Sequence, residues 1–576
     1  MKLCSKYLQR HYPMMALFVV LGILSAFLSA FSASLLEDVL DAFTARALGL
    51  PLILTYGGAL VALCLVNYAI NLPEGRLSNG IYLDLKLAAL RKMETLDFRT
   101  YVTLGTGALV QRIESGAQAG RDVVFGFWLT LFSQLLPEML SSLLFIARID
   151  RTVTLWLLMG YVAVFAVSNL LLRALYRIKS RILIDEETLS GRLVRGLMEL
   201  AVFRVNRRYG AELAAATTAR EGIVSGKTRM LLVHELFFTL FALLVALVKI
   251  GFLLYAYLSS ALTVGGFVAL TMLVDRAYQP IAVFNVLYVQ YRLNRVALSR
   301  YDEILSAPDT PRMLDGETAS VPSGALTLEH VRCTLGGRTV LRDLSLEIPA
   351  GQVLGLAGAS GSGKSTCVKL LLGFLTPDSG RITVDGADLS TLYLPSYYRF
   401  VSYTPQEPPV FDGTLRENLA FDAPIPDATL LAALDAMCLG ELVRRLPHGL
   451  NTPVGEKGAQ LSGGERQRLA LARLLLRPEA RIFILDEATS ALDPVTERRV
   501  MENLLAALSG RTVILIAHRL STLRPAHRIC LLRDGILQGD APYDELARSN
   551  AYFRSLLRAN NEQVRVNSEG TNSVPH

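Results

Sequence analysis

Gly358-Ala-Ser-Gly-Ser-Gly-Lys-Ser-Thr366 follows the apolar run Val353 to Ala357 and precedes Cys367 to Leu372. Strand, glycine-rich turn and helix in that order make a G-x-x-x-x-G-K-S phosphate-binding loop. Gly358, Gly361 and Gly363, with Ala359, Ser360 and Ser362 between them, let backbone N–H groups turn inward and cradle phosphate oxygens. The helix that leaves the loop adds partial positive charge at its N-terminus. Lys364 is placed to reach the β- and γ-phosphates of ATP. Ser365, followed by Thr366, is placed to ligate Mg2+. Cys367 comes next. A thiol reagent that reached it would block hydrolysis and ATP would protect, whereas a buried thiol there is inert.

Further along, Arg481-Ile-Phe-Ile-Leu-Asp486-Glu487 is an apolar run ending in two acids. A continuous apolar run is the mark of a buried parallel strand. The C-terminal ends of such strands are where α/β sheets bind ligands. Asp486 suits the Mg2+ shell, and Glu487 suits a general base that polarises the attacking water. Between the two stretches stands Leu461-Ser462-Gly463-Gly464-Glu465-Arg466-Gln467, a second glycine turn opening a helix. It is a second anion-binding helix N-terminus. One nucleotide does not need both, unless two copies of the domain share it.

The chain around these motifs is long and apolar. It has 576 residues, too many for one ordinary soluble domain. Hydrophobic residues make up 52% and charged residues 19%, below the quarter or so typical of soluble proteins. The apolar excess lies before about residue 290, in six runs: Met14 to Leu36, Leu50 to Leu72, Val123 to Ala147, Thr152 to Leu175, Leu231 to Tyr257 and Leu262 to Gln290. Each is long enough to cross a bilayer, and in lipid such segments are helices. The first is too long for a signal-peptide core and is read as a retained span.

The net charge of +7 collects in the two long connections, which carry among others Arg91, Lys92 and Arg112, then Arg204, Arg207 and Arg208. Positive-inside bias therefore puts both long loops and both termini in the cytoplasm. It also explains the basic charge without nucleic acid as a partner. The six cysteines show no metal or disulfide spacing. Glu138, Lys249, Asp275 and Arg276 fall inside spans, where charge is costly and faces a bundle interior or a wet cavity. They are candidates for lining a translocation cavity, with Glu138 and Lys249 as a possible pair. A stretch rich in Pro, Gly and Ser from Ala307 to Gly324 reads as a linker.

In order and spacing, the motifs resemble those of the ABC transporter superfamily. Gly358 to Thr366 resembles its Walker A loop, and Gln406 its Q-loop glutamine, which links the metal site to the membrane domain. Thr452 to Gly458 resembles the X-loop, Leu461 to Gln467 the signature motif, and Ile482 to Asp486 the Walker B strand. Ser490 to Asp493 resembles the D-loop and His518 the switch histidine. The resemblance implies two ATPase domains stacked head to tail. Each ATP then lies between the Walker motifs of one and Ser462, Gly463 and Gly464 of the other, with Asp493 nearby. The six spans resemble the exporter-type membrane fold, and the loop tips near Asp97 to Leu104 and Leu200 to Tyr209 resemble its two coupling helices. One residue departs from the pattern. Leu335 stands where the family has an aromatic that stacks on adenine.

The expected architecture is an all-α membrane domain of six helices (1–306), a linker (307–324), a cytosolic α/β P-loop ATPase domain (325–560) and a disordered tail (561–576). The implied protein is an integral membrane half-transporter in a bacterial inner membrane, pairing with an identical or related chain. It binds ATP and Mg2+ and exports a lipid, peptide or drug-like compound. Import of a metal-loaded siderophore is the alternative with the same fold. A regulatory partner subunit is the alternative of another class.

Overall fold

The computed structural model describes residues 8–559 apart from Glu199, 260–262, Asp422, Glu456, Lys457, Ala459 and His518. His518, Glu456 of the X-loop and the tail after 560 therefore lie outside the described residues. The chain divides into two bodies, Met1–Met93 with Leu104–Ala307, and Glu94–Thr103 with Pro308–His576.

The first body is helical. Its elements are α1 (Tyr12–Thr44) and α2 (Leu50–Thr95), the latter ending in the second body. After the short α3 (Phe98–Leu104) come α4 (Thr106–Arg121), α5 (Leu136–Ile149), α6 (Arg151–Met198), α7 (Leu200–Val205), α8 (Tyr209–Ser259) and α9 (Val264–Ser306). Among the described residues five helices are long and apolar enough to cross a membrane: Gln9–Thr44, Leu50–Thr95, Leu109–Ile149, Tyr209–Tyr255 and Val264–Ser306. The remaining apolar run, Thr152 to Leu175, lies within the 48-residue α6. The helices run well past the roughly 20 residues a bilayer needs, so the basic connections are helical extensions of the spans. Close packing depends on small residues. A Cβ on Gly22 of α1 would stand 2.2 Å from the Ser133 carbonyl oxygen, so any larger residue there would force these helices apart.

The third span holds an irregularity. Asp122–Leu129 and Leu131–Leu135 are π-helical. Such turns are rare and mark sites where packing outweighs regular hydrogen bonding. Here Phe127 stacks on Tyr291 of α9 at 4.4 Å between ring centroids, and Trp128 meets the same ring edge-on.

The second body holds two sheets. A six-stranded sheet has the order β10-β9-β3-β8-β7-β6. Its strands are β3 (Val353–Ala357), β6 (Val401–Thr404), β7 (Ile482–Asp486), β8 (Thr512–Ile516), β9 (Arg528–Arg533) and β10 (Ile536–Ala541). All pair in parallel except β10, which runs antiparallel along one edge. A four-stranded antiparallel sheet has the order β2-β1-β4-β5, from β1 (Leu326–Leu335), β2 (Arg338–Ile348), β4 (Ser379–Val384) and β5 (Ala387–Asp388). Helices α10 (Lys364–Leu371), α11 (Gly463–Leu475) and α12 (Pro494–Ala507) follow the phosphate loop, the second glycine turn and the acidic strand end.

Two stretches outside the expected ATPase span of 325–560 group with that body. The tip 94–103 packs with the ATPase body. Phe98 stacks on Phe374 at 5.0 Å and 16°, Lys369 lies over the Phe98 ring, and Arg99 donates to the Thr376 carbonyl at 3.3 Å. An aromatic pair of this kind is worth about 0.5–1.5 kcal/mol beyond its buried area. The stretch after Pro308, expected to be a linker, also belongs to this body. Arg312 donates to the carbonyls of Leu389 and Gly373, each at 3.0 Å. The second tip is closed on itself, with Phe203 of α7 edge-on to Tyr209, whose hydroxyl donates to the Gly196 carbonyl.

Candidate nucleotide site

The phosphate loop links β3 to α10, at the carboxyl end of the parallel strands. Gly358 has φ +150°, and a Cβ there would stand 2.3 Å from the Leu532 carbonyl oxygen. Gly363 caps α10 with φ +109°, and its Cβ would press on Leu341. Both positions exclude any other residue, which is why the glycine spacing was legible. Lys364 Nζ donates to the Gly358 and Ala359 carbonyls at 2.8 and 3.0 Å. Burial lowers its pKa, and the charges of Glu487 and Asp486 oppose that shift. Ser362 Oγ is buried and, among the described residues, lacks a hydrogen-bond partner. A glycine-rich loop at a helix N-terminus with a half-buried ammonium fits the phosphates of a nucleotide.

The acids come from the end of β7. Glu487 leaves that strand with φ +50°, in the left-handed region. Its N–H is held by the Ile516 carbonyl of β8 at 2.8 Å. Strained backbone of this kind persists where the surroundings over-determine it, and it clusters at functional sites. The turn aims the carboxylate at Gln406, whose Nε2 donates to Glu487 Oε2 at 2.7 Å. Burial raises the pKa of Asp486, the Glu487 charge adds to the effect, and Lys364 and Lys369 oppose it.

These residues share one cavity of about 600 Å3. It is lined by the loop from Gly358 to Thr366 (except Ser362), by Gln406 and Glu487, and by the apolar Val340, Ala517, Leu520, Leu556 and Ala559. A larger groove of about 760 Å3 lies on the same body among Tyr403, Phe411, Phe421 and Arg473. It carries no glycine amide cradle, so the nucleotide belongs in the smaller cavity. Ser365, Gln406 and Asp486 offer oxygen donors, the set that Mg2+ takes. The five apolar lining residues were missed from sequence, because single apolar residues far apart in the chain carry no local signal.

Ser462, Gly463, Gly464 and Asp493 are absent from the lining of this cavity. Ser462 caps α11 in a capping box, accepting from the Glu465 N–H while Glu465 accepts from the Ser462 N–H. Gln467 of the same helix donates to Ser490 and accepts from the Ala491 N–H, tying the signature turn to the D-loop stretch. Asp493 caps α12 through the N–H groups of Val495 and Thr496. Cys367 is fully buried, and burial pushes its thiol up to about 12, so it is inert at neutral pH.

Leu335 ends β1 half-buried against the domain core and is not among the cavity's lining residues. Base–aromatic stacking contributes roughly 1–3 kcal/mol. Leu335→Tyr is therefore expected to tighten ATP binding by about tenfold, read by titration with a fluorescent ATP analogue. Unchanged affinity would contradict the alignment that puts residue 335 beside adenine.

The raised pKa of Asp486 carries a sign. Its carboxyl holds a proton more tightly in the folded chain than in the unfolded one. That contribution to stability is full below the ordinary carboxylate pKa and is lost as pH rises through the raised value. The nucleotide-free protein is thus destabilised at neutral pH by this buried charge. Asp486→Asn should raise its melting temperature at neutral pH and flatten the dependence on pH, while Mg2+-dependent hydrolysis is lost. Thermal unfolding followed by fluorescence checks both, and a lower melting temperature would contradict the account.

The charged groups inside the spans are paired differently from the sequence expectation. Lys249 Nζ meets Asp275 Oδ2 at 2.7 Å, rather than Glu138. Depth explains it: Lys249 lies ten residues before the end of α8 at Ser259, and Asp275 eleven after the start of α9 at Val264. Counts that differ by one residue on either side of a short connection give nearly equal depth. Glu138 interacts electrostatically with Arg276. Among the described residues, Arg276 Nη1 is buried without a hydrogen-bond partner.

Comparison with known proteins adds the family. The model of the family described as ABC transporter matches residues 341–490. The mitochondrial potassium channel ATP-binding subunit of Mus musculus is 30% identical over 537 residues, 89% of this chain and 72% of that protein. The chain belongs to the ABC transporter superfamily. Among other ABC relatives, the mycobactin import ATP-binding/permease protein IrtB of Mycolicibacterium thermoresistibile is 38% identical over 50% of this chain and 49% of its own length. The ATP-dependent lipid A-core flippase of Ralstonia nicotianae is 38% identical over 51% of each. The chain spans only 22% of ABC transporter B family member 1 of Arabidopsis thaliana, at 39% identity. It thus spans about half or less of several curated relatives it matches. A solved bacterial Atm1-family ABC exporter with ATP bound has the same fold, with a TM-score of 0.81 over 96% of this chain and 98% of that one, at 24% identity. The ABC assignment implies that the chain binds a nucleotide, and with the apolar helices and the exporter fold it makes the chain a multi-pass membrane protein.

Proposed function

We propose that this ABC chain is an ATP-hydrolysing half-transporter that works as a dimer and moves an apolar or amphipathic substrate across a bacterial cell membrane, outward, with the ATPase body in the cytoplasm. One observation carries the reading. The phosphate loop, Gln406 and Glu487 line one cavity, while Ser462, Gly463 and Gly464 at the start of the signature helix are not among its lining residues. A second, identical chain presenting Ser462 to Gly464 completes the site on each side.

In this reading Lys364 leaves the Gly358 and Ala359 carbonyls for the β- and γ-phosphates. The loop amides hold the remaining phosphate oxygens. Ser365, Gln406 and Asp486 would hold Mg2+, which would supply neutralisation of the phosphate charge. Glu487 accepts a proton from the attacking water, and Gln406 keeps the Glu487 carboxylate aimed at it. His518 adds a further contact to the γ-phosphate. Closure of the two ATPase bodies pulls the tips at Phe98 and Phe203, and the membrane helices switch the side to which the cavity opens. Glu138, Lys249, Asp275 and Arg276 are assigned to its wall, supported by the buried Arg276 Nη1, which has no hydrogen-bond partner among the described residues.

The flippase relative supports an amphipathic export substrate. The mycobactin importer relative favours a second reading, uptake of a metal-loaded siderophore through the same path. Proteoliposomes with the ATPase body outside distinguish them. Export moves a fluorescent phospholipid or peptide into the lumen when Mg2+ and ATP are added. Import carries a lumen-loaded iron-siderophore out. Intact hydrolysis without ATP-dependent movement of any of the three would overturn the transport reading.

A further inference from the structure

The helix over residues 551–559 lies outside every motif, yet it forms part of the nucleotide site. Leu556 and Ala559 line the cavity that the phosphate loop lines. The first turn of this helix carries Tyr552, whose hydroxyl accepts a hydrogen bond from the Ala359 backbone N–H at 3.3 Å. That N–H belongs to the same peptide unit as the Gly358 carbonyl, which accepts from the Lys364 ammonium at 2.8 Å. One peptide plane is therefore held at both ends, by an ammonium on its oxygen and a phenol on its nitrogen. Linked hydrogen bonds of this kind polarise and strengthen one another.

Tyr552 is itself held in place. The Arg533 guanidinium lies 4.9 Å from its ring centroid, close enough for a cation–π contact. The adjacent Phe553 is fully buried, its N–H is accepted by Asn550 Oδ1 at 3.0 Å, and its ring meets Tyr543 edge-on. By contrast, the peptide it contacts follows a glycine with φ +150°. Glycine rotates at little cost, so the orientation of this plane depends on its partners.

We propose that Tyr552 is a positioning residue for the phosphate loop: through the Ala359 N–H it sets the Gly358–Ala359 peptide plane, and with it the place from which Lys364 reaches nucleotide phosphate. The proposal rests on the reading of this cavity as the ATP site. Tyr552 is not among the residues that line the cavity, so its effect is on the shape of the loop and hence on binding.

The test is Tyr552→Phe, which keeps the ring and removes the oxygen, in the full chain in lipid nanodiscs. Loss of one hydrogen bond that preorganises the loop raises the Kd for a fluorescent ATP analogue, and the KM for ATP, roughly threefold to tenfold. The kcat at saturating ATP stays within about twofold of wild type, and nucleotide-free melting is unchanged. Arg533→Leu, which frees the ring, shifts Kd in the same direction by less. An unchanged Kd in Tyr552→Phe overturns the proposal, as does a fall in kcat at constant KM. Failure of the wild-type chain to bind the analogue at all would overturn the ATP-site reading itself, a separate result.

Discussion

Glu487→Gln lowers ATP hydrolysis by about 100-fold or more while ATP remains bound. Glu487 stands in a left-handed conformation at the end of β7, pinned by the Ile516 carbonyl. Its carboxylate already accepts from Gln406 at 2.7 Å. Glutamine at 487 has nearly the same size and can still meet Gln406, so the cavity keeps its shape. It cannot take a proton from water. Lys364 and the loop amides, to which the proposed function assigns the phosphates, are untouched. The measurement is phosphate release beside analogue binding in nanodiscs. Near wild-type turnover in the variant would remove Glu487 from the role of base.

Ser462→Arg is expected to abolish hydrolysis as fully, although Ser462 does not line the nucleotide cavity of its own chain. Ser462 and Glu465 form a capping box at the start of the 13-residue α11. Removing such a cap costs about 1 kcal/mol, too little to unfold the domain. The larger effect is at the mating surface. An arginine side chain fills the helix N-terminus that should meet a partner's γ-phosphate, and it displaces the amides of Gly463 and Gly464. Loss of fixed donors to a transferring group costs about 10²–10³ in rate. Analogue binding to a single chain should be unchanged within about twofold, because the chain's own phosphate loop is intact. Loss of binding in step with hydrolysis would instead mean that Ser462 acts within its own chain.

The phosphate loop was legible in the sequence because sterics leave no choice at Gly358 and Gly363. The acids were legible because an apolar strand must end where Asp486 and Glu487 stand. Contacts between distant segments were not legible. Gln406 and Glu487 are 81 residues apart, and only the pairing of β6 with β7 brings them together. The tip near Asp97 to Leu104 was legible as a coupling helix, but not the residue it meets: Phe98 stacks on Phe374. In the membrane body, hydropathy located the spans but not the rotation of each helix. Lys249 therefore finds Asp275, and Glu138 is left to Arg276. The π-helical turns of the third span depend on how Phe127 meets Tyr291, a packing choice with no local pattern. Leu556, Ala559 and Tyr552 escaped notice because their motif-free helix reaches the site only through the fold.

The central claim is that each hydrolytic site is built from two chains. Mixing a Lys364→Ala chain with a Ser462→Arg chain tests it most directly. In a two-fold dimer of the two variants, one site carries both defects and the other carries none. Each variant alone should be inactive. The reconstituted 1:1 mixture should recover up to about a quarter of wild-type hydrolysis, since half of randomly paired dimers keep one intact site. Mixed dimers, isolated through two different affinity tags, that hydrolyse ATP no faster than either variant alone would contradict the account.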